Sequence, residues 1–249
     1  AHRAGDLPQR LMLMSGGPLE APADAAFAVG PLKVLLDDHS LPDIDDMAAR
    51  IVAARAQRRR VAVHCVTAGE LAVTLAAFEA AGAQVGDRVE HGGVIPPAAI
   101  DTLRRLKLTV VTQPAFIHER GDRYAAHVAP QDQPDLYRLR SLLDAGVPVA
   151  ASSDAPYASP DPWAGVAAAV HRTSKGGRLL GPGERVAPAQ ALALYLDDPA
   201  GPGRTPRRIQ PGAIADLCLL EAPLHEILAA PVAGRVRATL IAGRMVHGA

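Results

Sequence analysis

Residues 61–93 read VAVHCVTAGELAVTLAAFEAAGAQVGDRVEHGG and contain a complete strand–helix–strand unit. The apolar run Val61–Cys65 predicts a buried strand, because strands covered on both faces are continuously hydrophobic rather than alternating. Gly69–Ala81 has the length and composition of a helix, and Gly82 ends it. Arg88–His91 predicts the next strand. Two strands joined through a helix form a parallel pair, so this stretch indicates an α/β fold.

The same strand–helix rhythm continues on both sides of this unit. It predicts further strands at Leu11–Met14, Leu32–Leu36, Thr109–Thr112 and Val147–Ala151. It predicts further helices at Ile44–Gln57, Pro97–Leu106 and Asp135–Ala145.

After Asp154 the pattern changes. The sequence there predicts a helix over Glu184–Leu196 and a loop rich in proline and glycine over Asp197–Pro206. Strands are predicted over residues 214–221 and 236–247, the second broken by a tight turn at Ala242-Gly243. The end of the chain is therefore predicted to form a small β appendage.

The composition excludes several classes of protein. The 249 residues carry 26 basic and 26 acidic side chains, so the formal net charge is zero. Without net charge or a basic stripe, nucleic acid is not an expected partner. The apolar runs are far shorter than the ~20 residues that span a bilayer, so no membrane partner is expected either. Cys65 and Cys218 form no disulfide framework, which predicts a soluble protein of the reducing cytoplasm.

Four ionisable residues lie at the ends of predicted strands. They are Lys33 in GPLKVLLDD, His64 in VAVHC, His91 in RVEHGG and Asp154 in VAASSDAP. The carboxyl ends of parallel strands are where α/β enzymes, and barrels above all, place catalysis. Lys33 and Asp154 are 121 residues apart over four strand steps. Each step is about 30 residues, close to the roughly 31 expected when ~250 residues form eight βα units.

Two imidazoles and a carboxylate at one barrel mouth favour a divalent metal, with zinc as the expected ion. Lys33 becomes a ligand only if carbon dioxide carboxylates its amine. Asp154 can bind metal and also accept a proton from water, whose pKa a metal lowers to around 7. Because side chains alternate along a strand, histidines that face the interior predict that Cys65 and Glu90 face the helices.

Each of these residues also has a structural interpretation. A lone histidine is more often a hydrogen-bonded structural residue than a metal ligand. Asp154 in SSDAP could cap a turn, and Lys33 could be a solvated or ion-paired lysine. The run Arg58–Arg60 is interpreted as a solvated helix end, where cations favour the helix dipole.

Taken in order, these motifs resemble the C-terminal part of the amidohydrolase superfamily, in the amidohydrolase family 3 branch of metal-dependent hydrolases. The resemblance runs from Lys33 to nearly the end of the chain. Its pieces are the strands with Lys33, His64 and His91, and then TVVTQPAF, GVPVAASSDAP, DPWAGVAAAVHR, ERVAPAQALALYL and IQPGAIADLCLLE…VRATLIAGRMVHG.

The resemblance implies a (β/α)8 TIM-type barrel that lacks its first strands over residues 1–205, with C-terminal β-sandwich strands over residues 206–249. Lys33 would be the fourth-strand lysine, and His64 and His91 the fifth- and sixth-strand ligands. Asp154 would be the eighth-strand ligand and general base. The implied activity is metal-dependent hydrolysis, with one or two metal ions, of a carbon–nitrogen bond other than a peptide bond. The implied substrate is a small N-acyl, N-formyl or cyclic amide.

Two departures from the family pattern bear on this activity. HCVTAGE stands where the branch more commonly has His-Ala-Ile-Gly-Asp, which affects substrate contacts from that loop. The superfamily opens with His-x-His on its first strand, and this sequence contains no His-x-His. Only Leu11–Met14 precedes Lys33 as a strand, so the first two barrel strands are predicted to be missing.

The missing strands have two consequences. The unpaired edges at Leu11–Met14 and at the strand before Asp154 predict association with a second copy or with a separate N-terminal segment. The alternative to an active enzyme is a catalytically incomplete scaffold that needs an upstream segment with His-x-His. A phosphate-handling barrel is disfavoured, because the sequence lacks a glycine-rich phosphate loop.

Overall fold

A six-stranded parallel sheet forms the larger part of the protein. The computed structural model describes residues 7–248. In chain order, which is also the order in the sheet, the strands are β1 (Leu11–Ser15), β2 (Phe27–Val34), β3 (Val61–Cys65), β4 (Arg88–His91), β5 (Thr109–Thr112) and β6 (Val149–Ala151). Every neighbouring pair is parallel.

Helices lie between and after the strands, and most of them cover one face of this sheet. They are α1 (Ile44–Ala56), α2 (Ala68–Ala81), α3 (Pro97–Arg105), α4 (Ala115–His127), α5 (Arg140–Asp144), α6 (Pro162–His171) and α7 (Pro188–Ala193). Alternate strand residues, among them Val34, Val63 and Val89, pack with helix residues such as Ile51 and Phe78 in one buried apolar cluster. None of the helices within residues 7–248 is long and apolar enough to cross a membrane.

The sheet is a half-barrel with two open edges. Within the described residues, β1 pairs only with β2, and β6 only with β5. Six parallel strands are present where a closed (β/α)8 barrel has eight, which agrees with the prediction that the first strands are missing. The described residues therefore do not close a full barrel.

A second sheet follows the half-barrel. It contains β7 (Leu217–Leu220), β8 (Val236–Ile241) and β9 (Arg244–His247), all antiparallel, with the short helix α8 (Leu224–Ala229) between β7 and β8. Ala242 and Gly243 have φ values of +49° and +79°, as a tight hairpin turn requires, so the predicted turn is confirmed. The described residues form one antiparallel layer here, where a sandwich has two.

The division of the chain into residues 1–205 and 206–249 stays a prediction. Residues 1–6 and 249 lie outside the described residues.

Two predicted helices are shorter than expected. In place of a helix over Asp135–Ala145, the chain forms a 3₁₀ turn at Gln133–Asp135 and then α5. The residues between them are extended because they pair with the loop after β4: Tyr137 N donates to Gly93 O at 2.9 Å. In place of a helix over Glu184–Leu196, α7 begins only at Pro188, because Glu184 is held in a separate buried contact.

That contact is an ion pair between Glu184 and Arg138. Arg138 Nη1 donates to Glu184 Oε1 at 2.8 Å, and the backbone amides of Leu139 and Ser141 donate to Glu184 Oε2 at 3.1 and 3.0 Å. Both charged residues are buried. The pair joins the segment before α5 to the segment before α7.

We expect Glu184→Gln to lower the free energy of unfolding by about 2 kcal/mol, because it removes one of the two carboxylates that pair with buried Arg138, Asp135 being the other, and weakens a charge-assisted acceptor. Urea unfolding measures the change. The matched control is Glu221→Gln, since Glu221 pairs with Arg235 at 2.8 Å but is half exposed. That substitution should cost less than about 1 kcal/mol. Equal losses in the two variants would contradict the structural role of Glu184.

Candidate active site at the strand ends

Lys33 and His64 lie on the face of the sheet that points away from the helices. Their strand neighbours Val34 and Cys65 are buried in the helix-facing cluster, so alternation directs Lys33 and His64 to the opposite, concave face. The register pairs Lys33 with Ala62 and His64 with Glu90. The concave face therefore carries polar side chains near the carboxyl ends of β2, β3 and β4.

His91 reaches this face through an unusual backbone conformation. It is the register partner of Cys65, whose thiol faces α2 and lies 3.2 Å from Thr74 Oγ1. Regular alternation would send His91 toward the helices as well. Instead its φ is +71°, and its ring lies edge-on to His64 with the ring centroids 4.5 Å apart.

The two glycines after His91 permit this turn. A Cβ on Gly92 would lie 2.9 Å from Ile95 Cδ1, and a Cβ on Gly93 would lie 2.5 Å from the Val66 carbonyl oxygen. No larger residue fits at Gly93, because the clash is with backbone. The sequence His91-Gly92-Gly93 thus builds a tight strand end that turns the imidazole into the site.

The prediction that Cys65 faces the helices is confirmed, and the same prediction for Glu90 is wrong. Glu90 lies on the concave face, where its Oε1 is 2.8 Å from Arg88 Nε and both side chains are buried. The prediction failed because it assumed that His91 continues the strand's alternation. His91 leaves it, so Glu90 and His91 both belong to the concave side.

Asp154 completes the group. It lies three residues after β6 with a φ of +53°, and Tyr157 N donates to its carbonyl at 2.8 Å in a tight turn. Its Oδ2 is 3.9 Å from His91 Nδ1, and about a third of its side chain is exposed. His64, His91 and Asp154 are therefore brought together, with Lys33 on the same face.

Gln113 is a site residue that the sequence reasoning missed. It follows β5, is almost fully buried, and its Oε1 lies 2.8 Å from His91 Nδ1. Its Nε2 donates to Ser152 Oγ at 2.8 Å. This donation orients the amide so that Oε1 accepts from the Nδ1–H of His91, which leaves Nε2 of that ring with its lone pair. A glutamine directly after the apolar strand Thr109–Thr112 was the available signal.

The electrostatics of the site favour the neutral form of His64. Burial, together with the charges of nearby His91 and Lys33, lowers the pKa of His64 to about 4. Burial also lowers the pKa of Lys33, although Glu90 opposes this shift. A neutral imidazole is the form that binds metals. Burial raises the pKa of Cys65 to about 12, so this thiol contributes no thiolate.

The donor set suits a divalent ion in its chemistry, since two neutral imidazoles and a carboxylate are ordinary ligands for such ions. Within residues 7–248, however, no group of three or more His, Cys, Asp or Glu side chains is already arranged to hold a metal. The described site is thus a pair of facing imidazoles with a carboxylate beside one of them.

The chain forms an α/β half-barrel with polar side chains at the carboxyl ends of its strands. Barrel enzymes have their active sites at this end. The sequence model of the amidohydrolase family matches residues 1–247. The chain belongs to the amidohydrolase family.

Individual relatives agree with this assignment. The N-substituted formamide deformylase of Arthrobacter pascens is 26% identical over 84% of this chain and 41% of its own length. The putative amidohydrolase YtcJ of Bacillus subtilis is 28% identical over 80% of this chain and 41% of its own length. This chain thus spans about two fifths of these curated relatives.

A solved structure has the same architecture. An uncharacterized metal-dependent hydrolase from Pyrococcus furiosus superposes with a TM-score of 0.59 at 25% identity, over 71% of this chain and 40% of that one. Membership of the amidohydrolase family, together with this likeness to a metal-dependent hydrolase, implies a divalent metal but does not identify the ion.

We expect Gln113→Leu to lower zinc affinity about 10- to 100-fold, the usual effect of removing a group that orients a metal-binding histidine. Competition with a chromophoric chelator measures the affinity, and ¹⁵N NMR of the metal-free chain reports the tautomer of His91. Gln113→Glu keeps an acceptor for Nδ1–H and should retain the tautomer and most of the affinity. If Gln113→Leu leaves both tautomer and affinity unchanged, Gln113 does not position His91.

In the metal-free chain, NMR titration of His64 should give a midpoint near pH 4. The unfolded chain then binds more protons than the folded chain between that pH and the ordinary value of 6.5. The free energy of unfolding should therefore fall as the pH falls through this window. Lys33→Met removes a neighbouring positive charge and should raise the midpoint. If the midpoint of His64 lies at the ordinary value of 6.5 and does not change in Lys33→Met, then His64 is not packed against Lys33 and His91.

Proposed function

We propose that this chain carries the site of a metal-dependent hydrolase that cleaves a carbon–nitrogen bond other than a peptide bond. The observation that carries the proposal is the meeting of His64, His91 and Asp154 at the ends of β3, β4 and β6 in a member of the amidohydrolase family. The relative named as an N-substituted formamide deformylase supports this class of bond. The proposed substrates are small N-acyl, N-formyl or cyclic amides.

His64, His91 and Asp154 would hold the metal, with zinc as the proposed ion and room for one or two ions. When bound, such an ion polarises a carbonyl and lowers the pKa of a water molecule to around 7. His64 suits this role because burial keeps its imidazole neutral at physiological pH. His91 suits it because Gln113 occupies its Nδ1 and leaves Nε2 available.

Asp154 is the proposed general base. Its carboxylate is partly exposed and lies beside His91, so it can reach both the interior and the open side of the half-barrel. It would accept the proton of the attacking water at Oδ2 and return it to the departing nitrogen. Lys33 would contribute either as a cation facing the site or, if carboxylated, as a further ligand.

A second candidate is that the chain is a scaffold that hydrolyses substrate only with an upstream segment. The sequence has no His-x-His, and residues 7–248 contain no arranged group of three metal-binding side chains. The edge of β1, and the part of the β6 edge that remains free after Ala151 N donates to Leu194 O at 2.8 Å, offer places where such a segment, or a second copy of the chain, would pair.

We propose the cytoplasm as the compartment, since Cys65 and Cys218 are both unpaired thiols.

The two candidates are separated by measuring zinc content and amide hydrolysis of the chain with and without an upstream segment that carries His-x-His. We expect little or no hydrolysis by the chain alone, and both quantities should rise when the segment is supplied in cis or in trans. Sedimentation should show the segment bound. Turnover by the chain alone at an ordinary enzyme rate, on the order of 10 per second, would contradict the need for the segment.

In the complemented protein, Asp154→Asn should lower kcat by about 10²- to 10⁴-fold, the range for loss of a general acid–base group. His64→Ala should in addition lower the zinc content. Exposed His225, on α8 in the small-sheet region, provides the matched control, and His225→Ala should change neither. Unaltered hydrolysis in Asp154→Asn would refute its role as the base.

A further inference from the structure

A cavity lined by arginines lies at the end of the sheet opposite the strand-end site. Its volume is about 300 Å³, and its lining is Arg55, Arg58, Arg59, Arg60 and Gln84. Arg60 directly precedes β3, whereas His64 lies near the other end of that strand. The cavity is therefore distinct from the place where His64, His91 and Asp154 meet.

Only one of the four guanidinium groups has an acidic partner within residues 7–248. Arg55 pairs with Asp87, which is fully buried and also accepts from Val61 N at 3.0 Å and Gln84 N at 2.8 Å. The carboxylate of Asp87 is thus fully used. Four guanidinium charges against one carboxylate leave three positive charges at the cavity.

Arg59 is the most costly of these charges. Its residue is buried, and its guanidinium donates only to neutral oxygens, among them Gly17 O at 2.7 Å, Pro31 O at 2.9 Å and Gly30 O at 3.1 Å. Burial lowers its pKa. A buried charge without a counter-charge is unfavourable, and an anion in the adjoining cavity would reduce that cost.

Arg55 leaves a donor unused beside the same cavity. Its two terminal nitrogens bind Asp87, while its Nε is buried and has no hydrogen-bond partner. Buried donors are nearly always paired, so an unpaired one calls for an acceptor.

Helix-end electrostatics explain only part of the cluster. The end of α3 is also basic, but there Arg104 pairs with Asp101 and Arg105 pairs with Glu79. At the end of α1, none of the carboxylates in the described part of the chain pairs with Arg58 or Arg60. Of these two helix ends, that of α1 is therefore the one with an excess of positive charge.

We propose that this arginine cavity binds a small soluble anion that carries phosphate groups. Guanidinium groups match phosphate oxygens in planar, two-pronged hydrogen bonds. Three uncompensated charges favour a multivalent anion over a monovalent one. The volume lies at the lower end of the range for small-molecule sites, which favours an anion of the size of pyrophosphate. The ligand would lie against the exposed guanidinium groups of Arg58 and Arg60, with Arg55 and Arg59 supplying charge from behind.

The test is a calorimetric titration of the whole chain with inorganic pyrophosphate, together with thermal unfolding in its presence. The wild-type chain should bind saturably and unfold at a higher temperature, because a ligand of the folded state stabilises it. Arg58→Gln/Arg60→Gln should weaken binding at least about tenfold and abolish the thermal shift. Sodium chloride at matched ionic strength should not reproduce the shift.

The matched control is Arg208→Gln/Arg244→Gln, which removes the same charge from two exposed residues far from the cavity in sequence. It should leave binding unchanged. Equal weakening in the two double variants, or no saturable binding by the wild-type chain, would overturn the proposal. A phosphorylated lipid headgroup shares this chemistry, so a further arm measures co-sedimentation with phosphatidic acid vesicles. Binding to vesicles without binding to pyrophosphate would overturn the soluble ligand.

Discussion

The strand-end site depends on how closely the backbone after β4 approaches the backbone after β3. Gly93 N donates to Cys65 O at 3.1 Å, and a Cβ on Gly93 would lie 2.5 Å from Val66 O. This contact fixes the turn in which His91 takes a left-handed conformation. Without that turn His91 would point at the helices beside Cys65, and the two imidazoles would lie on opposite faces of the sheet. The pairing of the histidines is thus a property of backbone packing rather than of strand alternation.

The concave face beside this turn carries several other polar groups, which strand alternation places there. Lys33, His64, Arg88 and Glu90 all lie there, on a sheet whose other face is a continuous apolar core. The cost of burying charge is limited because Arg88 and Glu90 form an ion pair and because His64 stays neutral. Gln113 then ties His91 to β6 through Ser152. The polar face is therefore ordered by contacts between neighbouring strands.

Much of this arrangement could be read from the sequence, and the exceptions have physical causes. Apolar runs located β3 to β6 because buried parallel strands are uniformly hydrophobic. The start of β2 at Phe27 was missed because Gly30 and Pro31 interrupt its pattern, and pairing with β1 overrides them. The order of strand-end residues located Lys33, His64, His91 and Asp154. The departure of His91 from strand alternation depends on the backbone contact at Gly93, and the role of Gln113 depends on its hydrogen bond to His91; both are tertiary contacts that a local pattern does not give.

The order of strands in the half-barrel also bears on how such a chain can be assembled. Each strand of the large sheet pairs with the strand next to it in the sequence, with no strand inserted out of turn. Each pairing therefore closes a single connection, with partners 16 to 39 residues apart, and the entropic cost of closing a loop grows only slowly with its length. The sheet can grow one βα unit at a time, and its interior strands need no closing pair to find their register. Such a barrel can be divided into parts, since its six-stranded part has its own core. Further strands would pair at its two edge strands, β1 and β6.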